Sequence, residues 1–184
     1  MQVTRFDIQG PVLLTPARFG DHRGFFSETY SRRRFAEATG EDVEFVQDNH
    51  SLSRDAGTLR GLHFQRHPTA QGKLVRVVRG ALLDVAVDLR HGSATFGRHV
   101  RAELTADNGA QLWVPVGFAH GFCTLVPDTE VVYKVTSYYS PADDGGVIWN
   151  DADIGIEWPF PADKLVLSDK DTRLPRLADL PPLF

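Results

Sequence analysis

Ala81-Leu82-Leu83-Asp84-Val85-Ala86-Val87-Asp88-Leu89 is the stretch that sets the fold class. Leu83, Val85, Val87 and Leu89 alternate with Asp84, Ala86 and Asp88, and that period of two puts an oily face and a carboxylate face on one strand. In a small barrel such a strand turns its polar face outward to water or inward to a ligand cavity, and the sequence alone leaves both open. Shorter runs of β-branched and aromatic residues recur on either side, between clusters of Gly, Pro, Asn and Asp. Residues 12–14, 24–30, 43–49, 74–78, 98–104, 111–114, 121–125 and 129–135 read as further strands, the pattern of an all-β sandwich or barrel. One helix is expected: Ser31 caps it, Arg32 to Ala38 propagate it and Gly40 ends it. The arginines of its first turn oppose the helix dipole, so they need partners elsewhere or solvent. From Asp163 onward, Pro175, Pro181 and Pro182 point to short turns packed on the barrel.

The chain has 184 residues and no repeat, low-complexity tract or linker, so one domain over residues 1–184 is expected. Hydrophobic residues at 42% and charged residues at 24% are ordinary for a soluble globular protein. The apolar runs are broken by Asp84 and Asp88, so no membrane span is expected. Residues 1–7 carry Arg5 and Asp7 and no apolar core, so no secretory signal is expected either. Cys123 is the single cysteine, which excludes an internal disulfide and fits a reducing cytoplasm. Its neighbours Phe122, Thr124 and Leu125 suggest a packed thiol and not a nucleophile. A net charge of −4 argues against a nucleic-acid partner. Arg23, Arg60, Lys73 and Arg76 stand in uncharged or apolar surroundings, which suits a small anionic ligand, whereas Arg32-Arg33-Arg34 reads as a solvated helix start.

Two motifs narrow the fold. Pro115-Val116-Gly117-Phe118-Ala119-His120 has the form P-x-G-x-x-H that ends in a histidine inside many cupin jelly-roll barrels. Arg60-Gly61-Leu62-His63-Phe64-Gln65, followed by Gln71-Gly72-Lys73, resembles the metal-binding region of such barrels with two ligands replaced. Gln65 stands where the second histidine of H-x-H belongs, and Lys73 where a glutamate belongs. An ammonium cannot ligate a divalent cation without losing its proton, and its charge repels the ion. No metal and no cofactor are therefore expected.

Phe19-Gly20-Asp21-His22-Arg23-Gly24-Phe25-Phe26, Phe45-Val46-Gln47-Asp48-Asn49-His50-Ser51, Tyr138-Tyr139-Ser140-Pro141 and Trp149-Asn150-Asp151 extend the likeness over nearly the whole chain. With residues 59–65, 71–75, 111–122 and 154–159, they resemble the dTDP-4-dehydrorhamnose 3,5-epimerase family. The resemblance implies a cupin-like jelly-roll barrel with a few short helices. It also implies inversion at C3 and C5 of a dTDP-4-keto-6-deoxy sugar, in the synthesis of dTDP-L-rhamnose. Carried over residue by residue, His63 is the base, Asp171 the carboxylate that orients it, Lys73 the cation near the enolate oxygen and Tyr133 the acid on the other face. Arg23, Arg60 and Lys170 match contacts to the nucleotide diphosphate or its sugars. Glu28, Gln47, Asp48, Asn49 and His120 match substrate contacts, and Phe19 is placed to stack on thymine. Asp144 stands where the family often has Glu, and its shorter side chain needs a water to reach the same group. A homodimer is implied, with the N-terminal segment of one chain joining a sheet of the other.

Blander readings compete at several positions. A histidine in a strand is more often structural than catalytic, Tyr133 within Val131-Val132-Tyr133-Lys134-Val135 fits plain strand packing, and His120 fits a buried histidine that shapes the barrel. Asp84 and Asp88 fit a water-facing strand, with Asp84 alternatively supporting His120 or Lys73. His22, His50, His67, His91 and His99 are assigned no chemistry. Three other functions stand beside the leading one: a single-position epimerase of a related deoxysugar, a metal-dependent cupin enzyme, and a sugar-binding module without catalysis.

Overall fold

The computed structural model describes residues 1–184. Thirteen strands and one α-helix follow each other: β1 (Gln2–Arg5), β2 (Val12–Thr15), β3 (Phe19–Asp21), β4 (Gly24–Phe26), α1 (Arg32–Thr39), β5 (Gln47–Ser53), β6 (Leu59–Gln65), β7 (Lys73–Arg79), β8 (Ala81–Asp88), β9 (His99–Thr105), β10 (Gln111–Val114), β11 (Phe118–Thr124), β12 (Thr129–Val135) and β13 (Asp144–Gly146). A six-stranded sheet, β1-β2-β10-β7-β12-β5, faces a five-stranded sheet, β13-β6-β11-β8-β9. All of their pairings are antiparallel, which gives the cupin-like jelly roll. β3 and β4 form a separate hairpin. No helix is long and apolar enough to cross a membrane.

Three apolar clusters hold these layers. Val75, Val77, Leu82, Ala86, Leu112, Val114 and Val131 meet between the sheets. Leu62, Phe64, Val85, Val87 and Leu89 lie on the outer side of the five-stranded sheet, against Val147, Ile154 and Leu177 of the C-terminal tail. On the outer side of the six-stranded sheet, Val12, Leu14, Leu74 and Trp113 pack against Phe35, the one buried residue of α1. Phe35 meets the Trp113 ring edge-on, 5.0 Å between centroids.

β8 therefore turns its carboxylate face inward and its oily face outward. Val85, Val87 and Leu89 are covered by the tail, while Asp84 and Asp88 are fully buried. The water-facing reading of both aspartates is thus corrected. Asp84 bonds His120, and Asp88 is held by Arg90, Ser93 and Thr95, whose hydrogen bonds outweigh burial and lower its carboxyl to about 2. The tail folds as three 3₁₀ turns, Ala162–Lys164, Asp171–Arg173 and Leu177–Asp179, as its prolines suggest.

Some strand limits move. Residues 27–30 leave the sheet after β4, and β5 begins at Gln47, because Tyr30, Val43 and Phe45 pack around Phe35 and Trp113 instead. β11 starts earlier than expected, at Phe118, and β1, β3, β6 and β13 add to the strands read from sequence. Helix α1 spans Arg32–Thr39, with Gly40 left-handed at φ 83°, but the Ser31 side chain makes no capping bond. Its arginines find partners: Arg32 pairs with Asp42 and Arg34 with Glu28.

One irregularity places the site. His63 opposes His120 across the β6–β11 ladder, Arg60 opposes Phe122, and the register slips by one residue between them. A slip in β6 lets Arg60 and His63, three apart, reach one cavity while Leu62 points outward. The slip sits at Gly61, with φ +129°, where a β-carbon would lie 2.6 Å from Gly121 Cα. Only paired glycines allow that approach. Gly61→Ala is expected to cost at least about 2 kcal/mol, from the clash and the positive φ together, read as a lower midpoint in urea unfolding.

Candidate active site

Between the sheets, at the end away from the apolar cluster, lies a cavity of about 440 Å³. His63, His120 and Arg60 line it from the five-stranded sheet; Lys73, Tyr133 and Ser51 from the six-stranded sheet; Ser168, Lys170 and Asp171 from the tail. His63 and Tyr133 thus stand on opposing walls. A depression of about 500 Å³ outside, near Phe96, His99 and Leu177, is larger but gathers no such set of groups.

His63 Nε2 lies 2.6 Å from Asp171 Oδ1. In the neutral ring that nitrogen donates to the carboxylate, which leaves Nδ1 free to take a proton. Burial alone would raise the Asp171 carboxyl, but bonds from His63, the Ser168 side chain and the Gly61 amide, with the His63 charge, hold it below the usual range. The dyad is therefore an ionised carboxylate behind an imidazole that retains some exposure, 30% at the side chain. A second dyad lies beside it: His120 Nε2 is 2.6 Å from Asp84 Oδ1, both groups almost fully enclosed.

Lys73 Nζ is 3.4 Å from the His63 carbonyl. Enclosure in the barrel pushes its ammonium down to about 8, against the pull of Asp144 and Asp84 and with help from Lys170. Lys73 is half-buried and lines the cavity. Burial also raises the Tyr133 phenol, with the Arg60 charge working the other way. Cys123 is buried and pushed up to about 12, an unreactive thiol.

Not every expected residue is here. Gln47 and Asn49 bond each other at 2.8 Å on β5, and neither lines this cavity, whereas Ser51 further along the strand does. Asp48 lies off it too: Lys134 binds it at 2.9 Å, and with Asn49 and Arg76 it lines another cavity. Phe19 and Arg23 sit on the exposed hairpin and Glu28 just beyond it, and none of them lines the cavity. Asp144 bonds Lys170 and accepts from the Tyr139 hydroxyl at 3.2 Å. Gln65 is consumed structurally, its amide bonded to Thr69, Tyr138 and Ser140. No three His, Cys, Asp or Glu side chains converge as metal ligands would. Two residues have a stronger place than sequence reasoning assigned them: Asp84, and Ser51, whose buried Oγ has no partner. The carboxylate alternation of β8 was the signal for the first.

The dTDP-4-dehydrorhamnose 3,5-epimerase family matches residues 5–179. The chain belongs to this family. It is 56% identical over 172 residues to the dTDP-4-dehydrorhamnose 3,5-epimerase of Sinorhizobium fredii, covering 94% of this chain and 87% of that one. The crystal structure of the Bacillus anthracis enzyme with TDP and PPi bound superposes with a TM-score of 0.91 at 52% identity, over 95% of this chain and 98% of that one. A Legionella pneumophila dTDP-6-deoxy-D-glucose-3,5-epimerase in complex with dTDP-4-keto-L-rhamnose gives a TM-score of 0.93 at 40% identity, over 98% and 94%.

An enclosed ammonium at about 8 costs the fold stability relative to an apolar side chain of similar length. The lowered folded-state value makes that cost complete below pH 8, and the cost is relieved as pH rises toward the unfolded value of 10.5. Lys73→Met is therefore expected to stabilise the fold by about 1–3 kcal/mol at pH 7. Calorimetry should find its Tm several degrees above wild type, with the gap narrowing between pH 8 and 10.5.

Proposed function

We propose that the protein converts dTDP-4-dehydro-6-deoxy-D-glucose to dTDP-4-dehydro-L-rhamnose by inverting C3 and C5, as an isomerase of dTDP-L-rhamnose synthesis. The observation that carries this reading is the pair of opposing walls: His63 backed by Asp171 on one, Tyr133 and Lys73 on the other. Family membership and the identities above support the same reaction.

The 4-keto group acidifies the hydrogens on C3 and C5. His63 Nδ1 takes the proton from one face, and the C–H electron pair moves into the carbonyl as an enolate. The Lys73 ammonium holds the negative oxygen, an electrostatic contribution made where charge develops. Tyr133 then gives its phenolic proton to the opposite face, leaving a histidinium and a phenolate. A proton passes from the first to the second through solvent before the next inversion. No step needs a metal or an organic cofactor. Arg60 and Lys170 suit the diphosphate, and Ser51 and His120 offer polar groups to the sugar. Residues 1–184 act as one catalytic domain, and the reduced, buried Cys123 fits the cytoplasm.

The working unit is a homodimer. Phe19, Phe25 and Phe26 are more than 60% exposed on a hairpin outside the barrel, an apolar patch that suits burial against a second chain. Arg23 and Glu28 do not line their own chain's cavity, and a partner's cavity gives them a role. Light scattering is expected to find two chains, and Phe25→Ser/Phe26→Ser to weaken both association and turnover. An active monomer would overturn this assembly.

Turnover in deuterated water tests the chemistry. The product should carry label at both C3 and C5; label at one alone would make this a single-position epimerase. His63→Ala should lower turnover about 10²–10⁴-fold and abolish exchange of both hydrogens, because no carbanion forms. Tyr133→Phe should keep exchange on the His63 face while inversion drops, since one group cannot serve both faces of a planar enolate. Equal loss of exchange in both variants would remove Tyr133 from the role of acid.

A further inference from the structure

Asp84 lies on β8, in the interior, between Leu82 and Ala86. Its side chain is completely buried, Oδ1 is bonded to His120 Nε2 at 2.6 Å, and Oδ2 has no partner. Leaving a buried carboxylate oxygen unpaired is costly, and nearby positive charge is what makes it tolerable. The wall around it supplies that charge in Lys73. We infer that Asp84 is a positioning residue of the site: it fixes His120 as the Nε2–H tautomer, with Nδ1 turned to the cavity as an acceptor, and it keeps Lys73 charged.

Geometry carries the first half, and for the second it places Lys73 in the same cavity lining as His120, the partner of Asp84. A bond from Nε2 to a carboxylate forces the proton onto that nitrogen in the neutral ring, so Nδ1 becomes an acceptor. His120 Nδ1 has no protein partner, and His120 lines the cavity. A sugar hydroxyl that donates to it is held in one orientation. Toward Lys73, Asp84 acts by charge across the interior. Several groups set that balance: Asp144 from β13 and Asp84 from β8 favour the ammonium, and Lys170 from the tail opposes it. His63, His120, Arg60 and Tyr133 complete the lining of the cavity. Of the two carboxylates, Asp144 already bonds Lys170 and Tyr139, so Asp84 is the one without a competing cation.

The inference rests on the proposed reaction for its purpose, but its test does not need turnover. Nitrogen NMR of the free wild-type protein reads the His120 tautomer, with His120→Asn to assign the ring. The expected result is a protonated Nε2 and a bare Nδ1; a proton on Nδ1 would overturn the inference. The chain has only four lysines, Lys73, Lys134, Lys164 and Lys170, so Lys73 is assignable by its loss in Lys73→Met. Its ε-carbon titration midpoint should fall by about half a pH unit or more in Asp84→Asn, which keeps the shape and removes the charge. An unmoved midpoint in a folded variant would refute the electrostatic half. If wild type turns over substrate, Asp84→Asn should lower kcat about tenfold or more, with KM changed little and the alkaline limb of kcat moved to lower pH. Absence of turnover in wild type would count against the proposed reaction alone. The tautomer is read on unaltered protein, so a variant that fails to fold still leaves the inference open to refutation.

Discussion

The 2.6 Å bond between His63 and Asp171 ties a barrel strand to a segment 108 residues further along the chain. It forms only if the tail crosses the outer side of the five-stranded sheet in one path. Burial of Val85, Val87 and Leu89 under Val147, Ile154 and Leu177 supplies the adhesion. The Asp151 carboxylate fixes the path by accepting from the Asp153 and Leu177 amides, at 2.8 and 2.7 Å, and Leu59 N–H donates to the Val166 carbonyl. Asp171 then arrives beside Gly61, whose amide it also accepts. A tail that loosened would leave His63 without its carboxylate, so the packing of the outer layer holds the inner dyad together.

The same sheet shows why β8 is inverted relative to an ordinary surface strand. Its oily side has a cover, so water is not needed there, and its carboxylate side faces cations. The interior is divided along its length: Leu82, Ala86, Val75, Val77 and Leu112 fill one end, and ionisable groups fill the other. The polar end is dear in stability, as the lowered Lys73 ammonium indicates, and the three apolar clusters offset it.

Much of this was legible in the sequence. Alternation in β8 and recurring short runs of β-branched and aromatic residues gave an all-β fold, and P-x-G-x-x-H pointed to a cupin barrel. What pattern alone could not decide was which side of β8 faced in, because that depends on the tail as a cover. Residues 43–46 looked like sheet because Val43 and Phe45 alternate, yet that signal came from packing around Phe35. β1 escaped notice because all four of its residues are exposed and carry no alternation. Among candidate site residues, Gln65 and Lys73 stood out locally as replaced metal ligands beside His63, though the roles given to His63 and Lys73 came through resemblance. Tyr133 and Asp171 were readable only through resemblance, since a tyrosine in a hydrophobic strand and an aspartate in a polar tail have no local signature. Gln47, Asp48 and Asn49 were carried over as a contiguous run, and none of the three lines the cavity of His63 and Tyr133.

Two His–Asp pairs with identical 2.6 Å bonds face one cavity, so bond length cannot tell them apart. Exposure does. The His63 side chain is 30% exposed and its Asp171 partner spends its remaining capacity on the Ser168 side chain and the Gly61 amide. The His120 side chain is 8% exposed, and Asp84 is left with an unpaired oxygen. A base must meet its substrate and become a cation that its surroundings accept. His63, open to the cavity and backed by a satisfied carboxylate, meets both needs. His120 is enclosed, and the charge of its carboxylate partner also acts on the Lys73 ammonium. The same motif thereby stands in two settings: one imidazole is open to the cavity over a satisfied carboxylate, and the other is enclosed over a carboxylate with an unpaired oxygen.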